Sequence, residues 1–187
     1  MTPEERALVS VVGHLENLGI LYMVVGSVAS SHHGRPRMTH DADIVIDPTS
    51  ESLDALVQHL IESGFYADSH RAQEALAARR QFNVIDIESA SKVDLIIRKD
   101  RTFSREEFHR RYQTEISEGV QLDLATAEDT ILSKLEWAKK SGESEKQLSD
   151  VAGILDVRSD LDNAYIVRWA EKLGVLDLWK RVVEGRS

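Results

Sequence analysis

Two aspartates separated by one residue open an apolar run. Asp41-Ala42-Asp43 leads directly into Ile44-Val45-Ile46 and stops at Asp47-Pro48. In an extended strand, residues i and i+2 face the same side, so both carboxylates project from one face of the sheet. Carboxylates held side by side repel each other unless a cation lies close to both. An isolated Asp-x-Asp is equally well two solvated acids at the start of a strand, so the segments around it have to decide.

Upstream, Leu21 to Val25 is an almost wholly apolar run that ends on Gly26 and reads as a buried strand. Gly26 lets the backbone turn and come close to a ligand. Ser27 then falls where a helix to His33 begins, so its hydroxyl and the exposed amides can cap that helix or cradle a phosphate. Downstream, Asp94 interrupts the apolar strand Val93 to Ile97. An acid there is costly to bury unless it is paired, hydrogen-bonded or metal-bound. Asp86 is its rival, since it too interrupts an apolar run; Asp94 ranks higher because its strand is longer and more uniformly apolar.

Periodicity fills in the remaining elements. Ala7, Leu8, Val11, Val12, Leu15 and Leu18 predict an amphipathic helix over 3–18, and Leu53, Leu56, Val57, Leu60 and Ile61 predict another over 50–63. Strands over 82–87 and 92–97, separated by Glu88-Ser89-Ala90-Ser91, predict an antiparallel hairpin. Beyond residue 103 the chain reads as mainly helical. Thr126 and Asp129 form a capping box ahead of Ile131, and helices follow near 144–156, 162–173 and 175–183. The expected fold class is α/β (α+β): a mixed sheet of about four strands with flanking helices, then a helical C-terminal half. The expected domains are an α/β core over 1–103 and a helical subdomain over 104–187.

Composition narrows the chemistry. The 187 residues include no cysteine, which excludes disulfides, thiolate zinc sites and cysteine nucleophiles. A formal net charge of -9 argues against general nucleic-acid coating. Arg98, Lys99, Arg101, Arg105, Arg110 and Arg111 could still form a local basic patch. The opening Thr2-Pro3-Glu4-Glu5 reads as the acidic entry to a helix, not as a signal peptide, and no run approaches the roughly 20 apolar residues of a membrane span. The expectation is a cytoplasmic protein without membrane contact. There is neither a Walker A motif nor a Gly-x-Gly-x-x-Gly fingerprint.

Taken together, Gly26-Ser27, a gap of thirteen residues and Asp41-x-Asp43 resemble the Gly-Ser and Asp-x-Asp motifs of polymerase-beta-like nucleotidyltransferases. Arg37-x-Thr39-x-Asp41-x-Asp43 is similar to the form in minimal bacterial members, including AbiEii and MenT toxin-like proteins of toxin–antitoxin systems. The resemblance continues through Lys92-Val93-Asp94-Leu95, Glu128-Asp129, Lys134-Leu135-x-Trp137 and Asp150. It implies that Asp41, Asp43 and Asp94 hold two magnesium ions, with manganese as the substitute, against an NTP such as ATP. It implies that Gly26 and Ser27 bind phosphates, and that Lys134 and Asp150 join the catalytic set, with Lys134 leaning towards phosphates as well; Arg37 is a further phosphate-binding candidate from its place in the loop before the acids. The acceptor hydroxyl implied is an RNA end, a protein side chain or a small molecule.

Each assignment has a plainer counterpart. Lys134 could equally be a snorkelling lysine, Asp150 a solvated acid, and Arg35 and Arg37 a solvated basic loop. His32, His33 and His40 lie near the acids, but the surrounding oxygens favour a hard metal over zinc. Trp137, Trp169 and Trp179 read as core or interface. Two functions of different class follow: an active nucleotidyltransferase, and a catalytically silent nucleotide-binding regulatory module of the same fold. An apolar helix pair at the C-terminus leaves a dimer open.

Overall fold

A computed structural model describes residues 1–39, 41–117 and 119–185. His40, one of the three histidines weighed for zinc, lies outside the described residues. The chain forms two compact units. One comprises Met1–Val25 and Met38–Leu124, the other Gly26–Arg37 and Ala125–Ser187. Among the described residues no helix is long and apolar enough to cross a membrane.

The first unit is built on a seven-stranded mixed sheet. Its strands are β1 (Tyr22–Val25), β2 (Asp41–Ile46), β3 (Phe65–Tyr66), β4 (Gln81–Asp86), β5 (Lys92–Ile97), β6 (Tyr112–Ser117) and β7 (Val120–Leu124). They lie in the order β3-β4-β5-β2-β1-β7-β6. β2 pairs antiparallel with β1 and parallel with β5, and β5 pairs antiparallel with β4 as the hairpin predicts. Alternation along these strands sends Tyr22, Val24, Ala42, Ile44, Ile46, Val93, Leu95 and Ile97 to one face, where all are buried. Helix α1 (Pro3–Asn17) packs on β2, β5 and α3 (Ser50–Glu62). Its buried Leu8, Val11, Val12 and Leu15 are the predicted stripe, each such side chain contributing about 1.5–3 kcal/mol on full burial. Thr2 closes a capping box with Glu5, and Pro3 occupies the first helical position, where its missing N–H is no loss. α4 (Ser69–Ala78) packs on α3 and β4, and α5 (Thr102–Arg110) follows β5.

The strand count corrects the expectation of about four. β3 is two residues long, β6 is polar and half exposed, and the β6–β7 hairpin falls in a stretch read as helical. That hairpin carries the sheet unit on to Leu124, beyond the 103/104 boundary drawn from the sequence.

The second unit is helical: α2 (Gly26–His33), α6 (Ala127–Lys140), α7 (Glu145–Val157), α8 (Asn163–Leu173) and α9 (Leu176–Glu184). α2 packs on α6 and α7, and α8 packs on α6 and α9. Thr126 caps α6 by accepting from the Asp129 N–H, and the Thr126 hydroxyl donates to the Asp129 carboxylate at 2.7 Å. The packing at the end of α2 is tight. A Cβ on Gly34 would lie 2.7 Å from the Ile154 backbone nitrogen and 2.8 Å from the Gly153 carbonyl carbon, so only glycine fits against α7 there. Trp169 and Trp179 are buried, as expected of core tryptophans. Trp137 is 58% exposed, because it lies off the α6 stripe formed by Ile131, Leu132, Leu135 and Ala138.

Candidate functional site

The predicted acids come together on the face of the sheet opposite α1. Asp41 and Asp43 are two residues apart on β2, and Asp43 is the register partner of Asp94 on β5. Paired residues of parallel strands project to the same side, so the three carboxylates share one face. The register also places Lys92 directly beside Asp41. The Lys92 ammonium donates to Asp94 Oδ2 at 2.8 Å and lies 3.6 Å from Asp41 Oδ2. The hydrogen bond to Asp94 raises the lysine pKa against a smaller opposing effect of burial, so the ammonium stays charged. Asp94 is nearly buried, its side chain 9% exposed, whereas that of Asp41 is 48% exposed. Thr39 donates its hydroxyl to the Asp41 backbone carbonyl at 2.8 Å, fixing the entry to β2.

The donors fit a hard divalent cation. All are carboxylate oxygens, the set that suits magnesium or manganese, and a lysine ammonium already rests between two of them as a stand-in cation. Among the described residues no three carboxylate or imidazole groups converge as a ready-made metal cage. Two of the three acids are instead engaged with Lys92. Sequence reasoning passed over Lys92 as a functional residue. The signal was present all the same, since Lys92 stands two positions before Asp94 and so shares its face.

Asp86, the rival third acid, has a structural duty. It accepts the Ser89 hydroxyl at 2.6 Å and the Glu88 N–H at 3.2 Å, which shapes the β4–β5 turn. Three of the six residues of the anticipated basic patch are held in ion pairs: Arg98 with Asp47 at 2.9 Å, Arg105 with Asp100 at 2.8 Å and Arg111 with Asp123 at 3.3 Å.

In the helical unit, Gly26 opens α2 with φ of +64°, a conformation that glycine adopts without strain. It follows Val25, the register partner of Asp43. Ser27 is buried in the first turn of α2. Arg37, Lys134 and Asp150 meet in one ionic cluster. Arg37 donates Nε to Asp150 Oδ1 at 2.9 Å and Nη2 to Oδ2 at 3.1 Å, and the Lys134 ammonium donates to Oδ2 at 2.7 Å. The Lys134 and Asp150 side chains are 7% and 8% exposed, so neither is the solvated group that the sequence also allowed. Burial pushes the Asp150 pKa up, but the hydrogen bonds from Arg37 and Lys134 outweigh it and leave the carboxyl below its ordinary value. Arg35 pairs with Asp156 at 2.6 Å.

Asp129 and His33 are also buried in this unit. Asp129 accepts the Tyr165 hydroxyl at 2.6 Å. His33 donates Nε2–H to the Ala125 carbonyl at 2.7 Å, and its Nδ1 faces Arg158 Nη1 at 3.4 Å. Burial, with the nearby Arg158 charge as a lesser cause, lowers the His33 pKa to about 4. A neutral imidazole satisfies both contacts, which makes His33 a packing residue and not a metal ligand.

No family model matches the chain, and no curated protein matches it closely. Solved structures do match, and they define the fold as that of nucleotidyltransferases. The lincosamide antibiotic adenylyltransferase LnuA bound to lincomycin superposes with a TM-score of 0.57 at 13% identity, over 82% of this chain and 98% of that one. An antigenic nucleotidyltransferase-like protein from Paracoccidioides brasiliensis gives 0.55 at 17% identity, over 97% and 93%. The antibiotic-resistance factor ANT(2'')-Ia gives 0.50 at 12% identity, over 96% and 95%. Identities this low establish a shared fold and leave activity to the residues.

Proposed function

We propose that the chain is a magnesium-dependent nucleotidyltransferase that moves a nucleoside monophosphate from an NTP to a hydroxyl acceptor. The observation that carries this reading is the placement of Asp43 directly across the parallel β2–β5 pair from Asp94, with Asp41 further along the same face. Asp41, Asp43 and Asp94 would hold the metal, and manganese would substitute for it. When bound, the metal would neutralise triphosphate charge and acidify the acceptor hydroxyl.

The protein's own groups supply the rest. Gly26 and Ser27 offer backbone amides and a hydroxyl at the first turn of α2, donors suited to phosphate oxygens. Arg37 and Lys134 are the cations of this unit proposed to bind phosphate. Asp150 acts as the positioning carboxylate that holds both cations by charge-assisted hydrogen bonds. Transfer of this kind depends mainly on positioning and charge neutralisation, which such a set of residues provides. The fold shared with a lincosamide antibiotic adenylyltransferase is consistent with the reading.

A second reading, a catalytically silent nucleotide-binding module, draws on the pairing of Lys92 with Asp94 and Asp41. Incubation with α-labelled NTPs, magnesium and acceptors drawn from RNA ends, proteins and hydroxylated small molecules separates the two. Asp43→Asn is expected to cut transfer by about a thousandfold or more, roughly 4 kcal/mol of transition-state stabilisation, with the unfolding midpoint unchanged. Transfer that survives Asp43→Asn sinks the enzymatic reading. Nucleotide binding without any transfer in the wild-type protein favours the silent module.

A further inference from the structure

The backbone of Lys92 is fixed inside the sheet, but its ammonium is not. Lys92 pairs with Asp41 of β2 on one side and with Ile85 of β4 on the other. Its part-exposed side chain ends 2.8 Å from Asp94 Oδ2 and 3.6 Å from Asp41 Oδ2. A divalent cation bound by both acids needs an oxygen of each at roughly 2.0–2.6 Å. The small volume between the two carboxylates therefore serves either the ammonium or such a cation, not both.

Burial sets the terms of that exchange. Asp94 is nearly buried, and a carboxylate held so far from water is costly to leave without a counter-charge. Lys92 is thus released from Asp94 only when another cation takes its place. The flexible four-carbon stem then lets the ammonium move while its backbone stays in β5. Charge decides where it is best received. Asp41, Asp43 and Asp94 with Lys92 make three negative groups and one positive, a formal charge of -2. A triphosphate approaching this face meets repulsion from the acids. An ammonium standing clear of Asp94 offsets that repulsion by charge-assisted hydrogen bonds to phosphate oxygens. Without a nucleotide, a displaced Lys92 loses its partner. Without a metal, it is held by Asp94 and kept from any phosphate.

We infer that Lys92 makes metal and nucleotide binding interdependent: its ammonium opposes a divalent cation arriving alone and transfers to the triphosphate when both arrive together. The role of the triphosphate rests on the transferase reading, while the exchange of ammonium for cation stands on the geometry of Lys92, Asp41 and Asp94. Lys92 is on this account a positioning residue that couples two ligands, and coupling of this kind is reciprocal.

The test measures two affinities of the full chain. Manganese chloride alone is titrated by electron paramagnetic resonance, and α,β-methylene-ATP is titrated by calorimetry in saturating magnesium. Lys92→Met is expected to tighten manganese about tenfold and to weaken the analogue about tenfold, two shifts of opposite sign. Lys92→Arg keeps the charge and grips carboxylates with two prongs, so it is expected to retain the analogue and to weaken manganese. A readout on the wild-type chain needs no variant to fold well. With lysine labelled at Cε, the Lys92 resonance is expected to shift when magnesium and the analogue are added together. Affinities that fall together in Lys92→Met, an analogue affinity that does not change, or an unmoved Lys92 resonance overturn the inference. If the wild-type chain still transfers label, the transferase reading survives that result. Opposite shifts without transfer to any acceptor uphold the coupling and sink the transferase reading.

Discussion

Asp94 in the sheet unit and Asp150 in the helical unit are both buried carboxylates that accept from a lysine, at 2.8 Å from Lys92 and 2.7 Å from Lys134. Asp150 is saturated: a two-pronged guanidinium and an ammonium occupy both of its oxygens, and the lysine among them is itself sealed from water. Asp94 shares its lysine with Asp41, and that lysine is 38% exposed on a flexible four-carbon stem. A carboxylate locked by two cations is a fastening that sets where those cations stand. Acids that share one part-exposed ammonium can exchange it for another cation. Electrostatic pairing alone therefore does not separate carboxylates that position cations from carboxylates that can trade them; the number of partners and their access to water do.

Removing Asp150 tests the fastening most severely. Asp150→Ala leaves the buried Lys134 and the part-exposed Arg37 without their carboxylate and is expected to cost about 3–5 kcal/mol, read by chemical denaturation. A cost under about 1 kcal/mol would break the comparison, for it would place Asp150 with the loosely held acids. His33 extends the same logic to pH. Its folded pKa is about 4 and its unfolded value about 6.5, so the unfolded chain binds the extra proton between them. Its contribution is present above pH 6.5 and is lost as pH falls towards 4, about 3 kcal/mol in all. The depressed Asp150 carboxyl acts in the same direction, so the His33→Gln variant isolates the histidine share as a flatter stability profile between those limits. Gly34→Ala probes how closely the helical unit is packed. The added methyl meets α7 backbone below 3.0 Å, and a loss of about 1–3 kcal/mol is expected in thermal unfolding.

The smallest change belongs to the open side. Lys92→Met removes the shared ammonium and should tighten manganese binding about tenfold, measured by electron paramagnetic resonance. Weaker manganese binding in this variant would mean that Lys92 supports the metal instead of competing with it.

Much of the acid face was legible because its rules are local. Alternation puts Asp41 and Asp43 on one side, and a single acid in an apolar strand marks Asp94. Pairing β2 with β5 is not local, so the role of Lys92 emerged only when the register set it beside Asp41. β6 escaped because Tyr112–Ser117 is polar and half exposed, with little apolar alternation to betray a strand. Lys134 and Asp150 were found by resemblance, whereas their junction with Arg37 spans 113 residues of sequence, a separation no pattern along the chain encodes.

The excursion of Gly26–Arg37 also bears on how the protein is made and cut. The chain crosses between units at Val25–Gly26, at Arg37–Met38 and at Leu124–Ala125. During synthesis α2 emerges roughly a hundred residues before the α6 and α7 on which it packs, so the helical unit stays incomplete until those helices have been made. A single cut after Leu124 would not liberate two modules. It would strip α2 of its partners and leave residues 125–187 without the segment that supplies Arg37. Shuffling this scaffold by recombination therefore needs three junctions, and grafting a new helical unit means replacing the segment Gly26–Arg37, with its helix α2, together with residues 125–187.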